Sequence, residues 1–379
     1  MQNIIYEYSE IKDDKLKKHI IDSPSLHKYF KPTWNKLKSK HYCGILNFEG
    51  EDYYLLPKIC KKDAEANLDI FIYMLMKSYD IKLENEDMAS CKNNSHNILE
   101  VFIQIFAKNL FKEFQRGVYK KYTTKQENLK KLRGKYLINE NLKYNFTNEK
   151  IYCEYDEFSE DNKLNKFFLF AVKTLLRYTK NKKLLKECEL ILNEVEFRQF
   201  DITTLKINFD RLNIRFKDSY EFAILLLSKS IPLFAKDKKS FAFLFDMNNL
   251  FENFIGKIYE DIDASTKLQT QKDFGNLRLK PDIITSTMII DTKYKKVKNR
   301  DDLNTADKYQ MFTYGTNFEK QNTMLLYPQH LENVSEDLKL GIDDKMVGLK
   351  MRSIDLEFSG GYGEFLSEIG KRLEKINYV

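Results

Sequence analysis

The stretch Lys280-Pro281-Asp282-Ile283-Ile284-Thr285-Ser286-Thr287-Met288-Ile289-Ile290-Asp291-Thr292-Lys293 decides how this chain is read. It contains the chain's single Pro-Asp dipeptide, and nine residues after Asp282 an Asp-x-Lys set follows the apolar run Met288-Ile289-Ile290. Strand side chains alternate between faces, so Asp291 and Lys293 share a front while Ile290 and Thr292 face the other side. An antiparallel return from the preceding strand brings Asp282 near the same front. Two carboxylates and an ammonium meet the needs of phosphodiester hydrolysis. Hard Mg²⁺ prefers oxygen ligands, and once held it polarises a phosphate and acidifies a bound water. A lysine can orient or help deprotonate that water and neutralise developing charge. Asp282, Asp291 and Lys293 are therefore the candidate catalytic residues. Asp282 and Asp291 are expected to hold Mg²⁺, with Mn²⁺ as a substitute.

Asp-x-Lys alone carries little weight in so charged a chain. Asp13-x-Lys15, Asp237-x-Lys239 and Asp343-x-Lys345 share the spacing in contexts that read as solvated. The apolar lead-in, the Pro-Asp step and a following helix with Gln310 separate the Asp291 site, giving the pattern of the PD-(D/E)xK nucleases. Glu252 is a third carboxylate candidate, both catalytic and metal-binding, 30 residues before Asp282 on a helix whose Leu250, Phe251 and Phe254 read as core. A Glu beside such a stripe is more often the wet edge of a helix. Gln310 and Tyr309 are candidates to brace the lysine or touch phosphate. A capped amphipathic helix is the plainer alternative.

Around this block, Phe241 to Tyr259 reads as a helix with Ser240 as N-cap. Strands are expected at Leu277–Ile284, Met288–Tyr294 and Thr323–Tyr327, with a helix over Thr305–Phe318. That order suits a small α/β domain. Upstream, residues 44–48 and 53–56 bracket a Glu49-Gly50-Glu51-Asp52 turn and read as a hairpin stopped by Pro57. Helices are expected at Ala64–Ser78, Asn97–Tyr119, Leu164–Leu176 and Leu184–Val195 from apolar spacing. The first 40 residues, with Trp34, read as charged and irregular. The fold class is α+β or α/β, an N-terminal strand-containing and helical domain (1–160) followed by a helical connection and nuclease domain (161–379).

Composition bounds the alternatives. The 379 residues are 42% hydrophobic and 31% charged, enough for a folded core in two or three domains. The net charge of +7 permits a polyanionic partner without requiring one. With 13 Gly and 6 Pro there are few breakers, which favours long helices. No apolar run approaches the ~18 residues of a membrane span, and the first residues lack the order of a secretory signal. Five scattered cysteines argue against a disulfide framework. A reduced, cytoplasmic protein with no membrane partner is expected. Neither a P-loop nor paired metal-binding histidines occur, so nucleotide hydrolysis by this chain and zinc chemistry are unsupported.

At this point the chain resembles the McrC family, the nuclease subunit of McrBC-type modification-dependent restriction systems. Gly44-Ile45 through Leu55-Leu56-Pro57-Lys58-Ile59 resembles the family's strand pair. Arg116-Gly117-Val118-Tyr119 and Leu132-Arg133-Gly134-Lys135 resemble its central signatures. Cys153-Glu154-Tyr155-Asp156-Glu157 with Asp161 and Asn165, and Phe245-Asp246-Met247-Asn248 through Phe251-Glu252, extend the likeness. Lys280-Pro281-Asp282, Asp291-Thr292-Lys293-Tyr294 and Tyr309-Gln310-Met311 complete it, over roughly residues 44 to 330. The resemblance implies a phage-defence DNA endonuclease that cuts when docked to an McrB-like AAA+ GTPase oligomer and stimulates its GTP hydrolysis. The N-terminal half is then the motor-contacting part, and the substrate is double-stranded, cytosine-modified DNA. A double-strand break needs two active centres, so two copies are expected to pair.

The basic stretch holding Arg116, Lys120, Lys121 and Arg133 has three readings: contact with DNA backbone, contact with the motor, or a solvated helix face. Two other roles for the whole chain stand beside the first, a non-catalytic activator of the motor and a free-standing nuclease.

Overall fold

The strand Met288–Thr292 is buried at all five positions, as in a strand covered on both faces of its sheet. Around it the structure, a computed structural model, describes residues 3–33, 36–49, 51–59, 64–81, 98–147, 149–232, 241–329, 332–342 and 346–378. Two compact units emerge, Met1–Ile98 with Pro232–Val379, and Leu99–Ile231, so residue 160 lies inside the second. The architecture is the expected mixture of helices and sheets. No described helix is long and apolar enough to cross a membrane.

In the first unit a six-stranded sheet runs in the order Lys267–Leu268, Ile283–Ile284, Met288–Thr292, Asn322–Pro328, Val347–Ile354, Ser335–Leu340. Ile283 faces Ile290 in the antiparallel return that brings Asp282 beside the end of the central strand. Met288–Thr292, Asn322–Pro328 and Val347–Ile354 are mutually parallel. The helix Thr305–Asn317 makes the crossover that a parallel pair requires. Its Met311 and Tyr314 pack with Ile289, Leu325, Leu349 and Met351 in one core cluster.

The same unit holds a sheet with neighbouring strands Ile4–Tyr6, Glu51–Leu56, Tyr42–Phe48 and Phe241–Asp246. Gly44 pairs with Leu244 there at φ +142°, and a Cβ would run into the Phe243 carbonyl oxygen. Glycine is therefore the residue the close approach needs. The helix Ala64–Ser78, buried continuously from Asn67 to Met76 apart from Asp69, packs against the helix Met247–Ile262. On the latter, Phe254 also stacks on Phe365 of the helix Tyr362–Tyr378 at 5.8 Å.

Several expectations need correction. Phe241–Tyr259 is not one helix: Phe241–Asp246 is a strand, and the helix starts at Met247 with the Asp246 side chain accepting from Asn248 N–H. A short continuous apolar run does not distinguish strand from helix by periodicity. Ser240, expected as the cap, lies outside the described residues, as do Trp34, Gly50, Asp237 and Asp343. Leu277–Ile284 is two strands, Leu277–Leu279 and Ile283–Ile284, because Pro281 has no N–H for the ladder. The opening segment is ordered, with the helix Asp14–Asp22 and a hairpin of Phe30–Thr33 and Lys36–Ser39. Asp13, a spacing decoy, caps that helix at Leu16 N and accepts from Tyr53 OH at 2.9 Å. Asn97 lies outside the described residues; the helix after it, Ile98–Gln115, stops short of Tyr119, and Leu184–Val195 is the shorter helix Lys183–Ile191.

The second unit packs the helix Lys163–Leu175 with Lys183–Ile191 and Lys217–Lys229, and its core includes Phe102, Phe106, Phe167, Phe168 and Phe216. It also carries a three-stranded antiparallel sheet, ordered Lys121–Leu129, Ile151–Ser159, Lys135–Tyr136. Of the basic stretch, Lys121 opens the strand Lys121–Leu129, while Arg116, Lys120 and Arg133 lie on neither helix nor strand, so it is not a helix face. Gly134 turns into its edge strand at φ +68°, where a Cβ would meet the Glu154 carbonyl.

Candidate active site

The end of the central strand gathers the expected residues. Asp291 is 2% exposed, and its Oδ2 forms an ion pair with Lys293 Nζ at 2.6 Å. Alternation along the strand puts both on one front, as the sequence requires. Gln310, one helix away, closes a triangle: its Nε2 donates to Asp291 Oδ1 at 3.2 Å, and its Oε1 accepts from Lys293 Nζ at 3.2 Å. The amide is itself fixed, donating to Tyr314 OH at 3.0 Å, and that hydroxyl donates to Lys280 O at 3.1 Å.

Asp282 arrives from the residue just before the neighbouring strand Ile283–Ile284. Its Oδ2 accepts from the Thr292 N–H at 2.8 Å and from Thr292 Oγ1 at 2.9 Å. Thr292, expected merely to face away, therefore orients the second carboxylate. Glu252 joins from the first turns of the helix Met247–Ile262, held by Gln269 Nε2. Gln269 sits at φ +46°, its N–H donates to Asp282 O at 2.8 Å, and its Oε1 accepts from Lys280 Nζ at 2.9 Å. One side chain and its backbone thus tie Lys280, Asp282 and Glu252 together.

The electrostatics follow from crowding three carboxylates into a half-dry corner. Burial, then the Asp282 charge, pushes the Glu252 carboxyl up to about 7. Burial and then Asp282 raise Asp291 to about 6, against the opposing pull of Lys293. Burial works against the Lys293 ammonium, but Asp291, with Asp307 and Asp282 behind it, outweighs that and leaves its pKa raised. Asp307, 9% exposed, lies 3.9 Å from Lys293 and 2.6 Å from Lys295.

Among the described residues no three of His, Cys, Asp and Glu stand ready-made as a metal cage. The donor set nevertheless suits a hard divalent cation, because every candidate atom is a carboxylate oxygen. Asp291 Oδ2 is buried with the Lys293 ammonium as its charged neighbour, and the burial and then the carboxylate repulsion that raise Asp291 and Glu252 are what a bound cation offsets.

Tyr309 stands apart, 68% exposed, and makes none of these contacts. Arg116, Lys120, Lys121 and Arg133 belong to the second unit. Three of them are paired within it: Arg116 with Glu113 at 3.0 Å, Lys120 with Glu160 at 3.0 Å, and Arg133 with Glu157 at 3.5 Å. The Arg133 guanidinium also lies 3.9 Å over the Tyr155 ring. Sequence reasoning missed Gln269, Thr292, Asp307 and Tyr314. A polar residue with a structural job looks the same in sequence as one on a wet surface.

Comparison with known proteins gives concordant results. Residues 37–328 match the family described as McrBC 5-methylcytosine restriction system component. The fold is similar to a refined half-complex from the tetradecameric assembly of Thermococcus gammatolerans McrB AAA+ hexamers with bound McrC. There the identity is 23%, 98% of this chain and 99% of that one are covered, and the TM-score is 0.67. A chain of the cryo-EM structure of the Thermococcus gammatolerans McrBC complex is 28% identical over 68% of this chain and 86% of that one, with a TM-score of 0.51. No curated protein matches.

Proposed function

This chain belongs to the family of McrBC 5-methylcytosine restriction system components, and from that premise we propose that it is the Mg²⁺-dependent DNA endonuclease subunit of such a system. The observation that carries the reading is the convergence of Asp282, Asp291, Lys293 and Glu252 around Gln310 and Gln269 at one strand end. Asp282, Asp291 and Glu252 would hold the ion, whose charge polarises a phosphate and makes a bound water acidic.

The chain's own residues do the rest. Lys293, held between Asp291 and Gln310, presents a cation where charge develops on the phosphate and orients the attacking water. Its raised pKa keeps it charged at neutral pH, so it acts as an electrostatic group and proton donor more readily than as a base. Gln310 fixes the direction of both partners, which reduces the reorganisation needed during reaction. Thr292 and Gln269 keep Asp282 and Glu252 facing the same space.

We further infer that the chain works docked to an McrB-like AAA+ GTPase and stimulates its GTP hydrolysis. Support comes from the family and from related assemblies, described as McrB AAA+ hexamers with bound McrC. The second unit offers a suitable surface. Tyr122 and Phe158 contact each other at 4.9 Å yet are 68% and 56% exposed, and Leu142 and Phe146 are 69% and 88% exposed. The Tyr122–Phe158 pair is the element of this surface that a partner would cover. Cleavage of cytosine-modified plasmid by the chain with its GTPase, GTP and Mg²⁺, lost in Asp291→Ala while GTP turnover stays stimulated, is the test. Cleavage by Asp291→Ala would refute the site.

A further inference from the structure

Glu7 follows the strand Ile4–Tyr6, ahead of the region matched by the family model, which begins at residue 37. Its backbone N–H donates to Leu56 O at 3.0 Å, continuing the parallel pairing of that strand with Glu51–Leu56. The side chain turns inward and is 2% exposed. Its Oε1 accepts from the Lys58 N–H at 2.8 Å and from Tyr294 OH at 2.8 Å, a contact between residues 287 apart in sequence. Burying a carboxyl costs free energy that hydrogen bonds offset, and Oε1 makes two of them.

Tyr294 connects that contact to the active site. It is the residue after Lys293, whose N–H donates to Leu326 O at 2.9 Å as the last tie of the central strand. The Tyr294 ring packs against Phe251 with centroids 5.9 Å apart, and Phe251 precedes Glu252. The phenol is therefore pinned at its hydroxyl by Glu7 and along its ring by the helix that carries Glu252. With Tyr294 held at hydroxyl and ring and the Lys293 N–H tied to Leu326 O, the backbone of Lys293 has a contact on each side.

We propose that Glu7 is a positioning residue, acting through the Tyr294 hydroxyl to hold Lys293 against Asp291 and Gln310. Lys293's role rests on the nuclease reading above, whereas the Glu7–Tyr294–Lys293 linkage does not. Burial pushes the Glu7 carboxyl up to about 7, opposed by the Lys58 N–H, the Tyr294 hydroxyl and the Lys58 charge. Lys58, Tyr294, Tyr8 and Cys43 are the titratable groups that face it.

The test uses the full chain with three substitutions and two readouts. Tyr294→Phe deletes one oxygen and no core volume, Glu7→Leu removes the acceptor, and Glu7→Gln restores an acceptor oxygen without the charge. Hydrogen–deuterium exchange is followed in the peptide spanning residues 291–296, and DNA cleavage is measured with GTPase, GTP and Mg²⁺. The expected result is faster exchange there in Tyr294→Phe and Glu7→Leu, with kcat down about tenfold and KM unchanged, as for other residues that orient active groups. Glu7→Gln should recover most of both losses relative to Glu7→Leu. Should Glu7→Leu not fold, Tyr294→Phe still decides. Exchange and kcat in Tyr294→Phe equal to wild type would overturn the proposal, and so would faster exchange with unchanged kcat. If wild type cuts no DNA, the nuclease reading fails, and the exchange arm alone then upholds or overturns the linkage.

Discussion

The Lys293 ammonium stands 2.6 Å from Asp291 Oδ2, and the same Gln310 amide touches both residues. The pair is buried on the aspartate side and half-open on the lysine side, with side-chain exposures of 2% and 26%. That asymmetry gives the lysine access to solvent and substrate while the carboxylate stays in a dry, ordered place. Asp291→Asn keeps the volume and removes the charge. It should leave the fold intact by circular dichroism and reduce cleavage by roughly a thousandfold, since a metal ligand supplies several kcal/mol of transition-state stabilisation.

Gln310 should matter by orientation alone. Gln310→Leu leaves both charges present but frees Asp291 Oδ1 and Lys293 Nζ of their shared brace. Cleavage is expected to fall by about ten- to a hundredfold. Tyr309→Ala, one residue away and exposed, should stay within about twofold of wild type in the same assay, because its side chain joins none of these contacts.

Proton competition should govern ion binding. Asp291 at about 6 and Glu252 at about 7 must lose protons before they can act as ligands. Mn²⁺ affinity should therefore rise from pH 6 to pH 8, with protons released on binding. Calorimetry in two buffers of different ionisation enthalpy measures both. A pH-independent affinity would show that these carboxyls do not hold the ion.

Stability of the metal-free chain should run the other way. Glu7, Glu252 and Asp291 all have folded-state pKa values above the ordinary 4.5 or 3.8. The folded state then binds more protons than the unfolded state, so stability falls as pH rises from about 4 through about 7. Tm should decline over that window and level off above it. The decline should be shallower in Glu7→Gln and offset by saturating Mg²⁺.

Gly44 is a stability site. Gly44→Ala adds a Cβ against the Phe243 carbonyl at φ +142°, where L residues are strained. A loss of about 2 kcal/mol or more is expected from backbone strain plus the clash. The denaturant midpoint measures it.

Much of the site was legible because its chemistry is local. Asp291 and Lys293 share a face by strand alternation, and the apolar lead-in Met288-Ile289-Ile290 marked the strand as buried. Glu252 and Gln310 lie on helices whose spacing was readable. What stayed hidden depends on tertiary approach. Nothing in the local pattern says that Gln269 reaches Glu252, or that Glu7 crosses to Tyr294. The strand Phe241–Asp246 passed for helix because five apolar residues in a row fit either period. The region after residue 335 supplies two strands and a closing helix to the first unit, though its sequence carries no chemistry-bearing motif to announce them.

The most direct test of the central claim is cleavage of modified and unmodified plasmid by the chain with its GTPase, GTP and Mg²⁺, wild type beside Asp291→Ala, with GTP turnover followed in the same tubes. The account expects cutting of modified plasmid by wild type alone and stimulated GTP turnover with both proteins. Stimulated turnover without cutting by either protein, across several modified substrates, would contradict it.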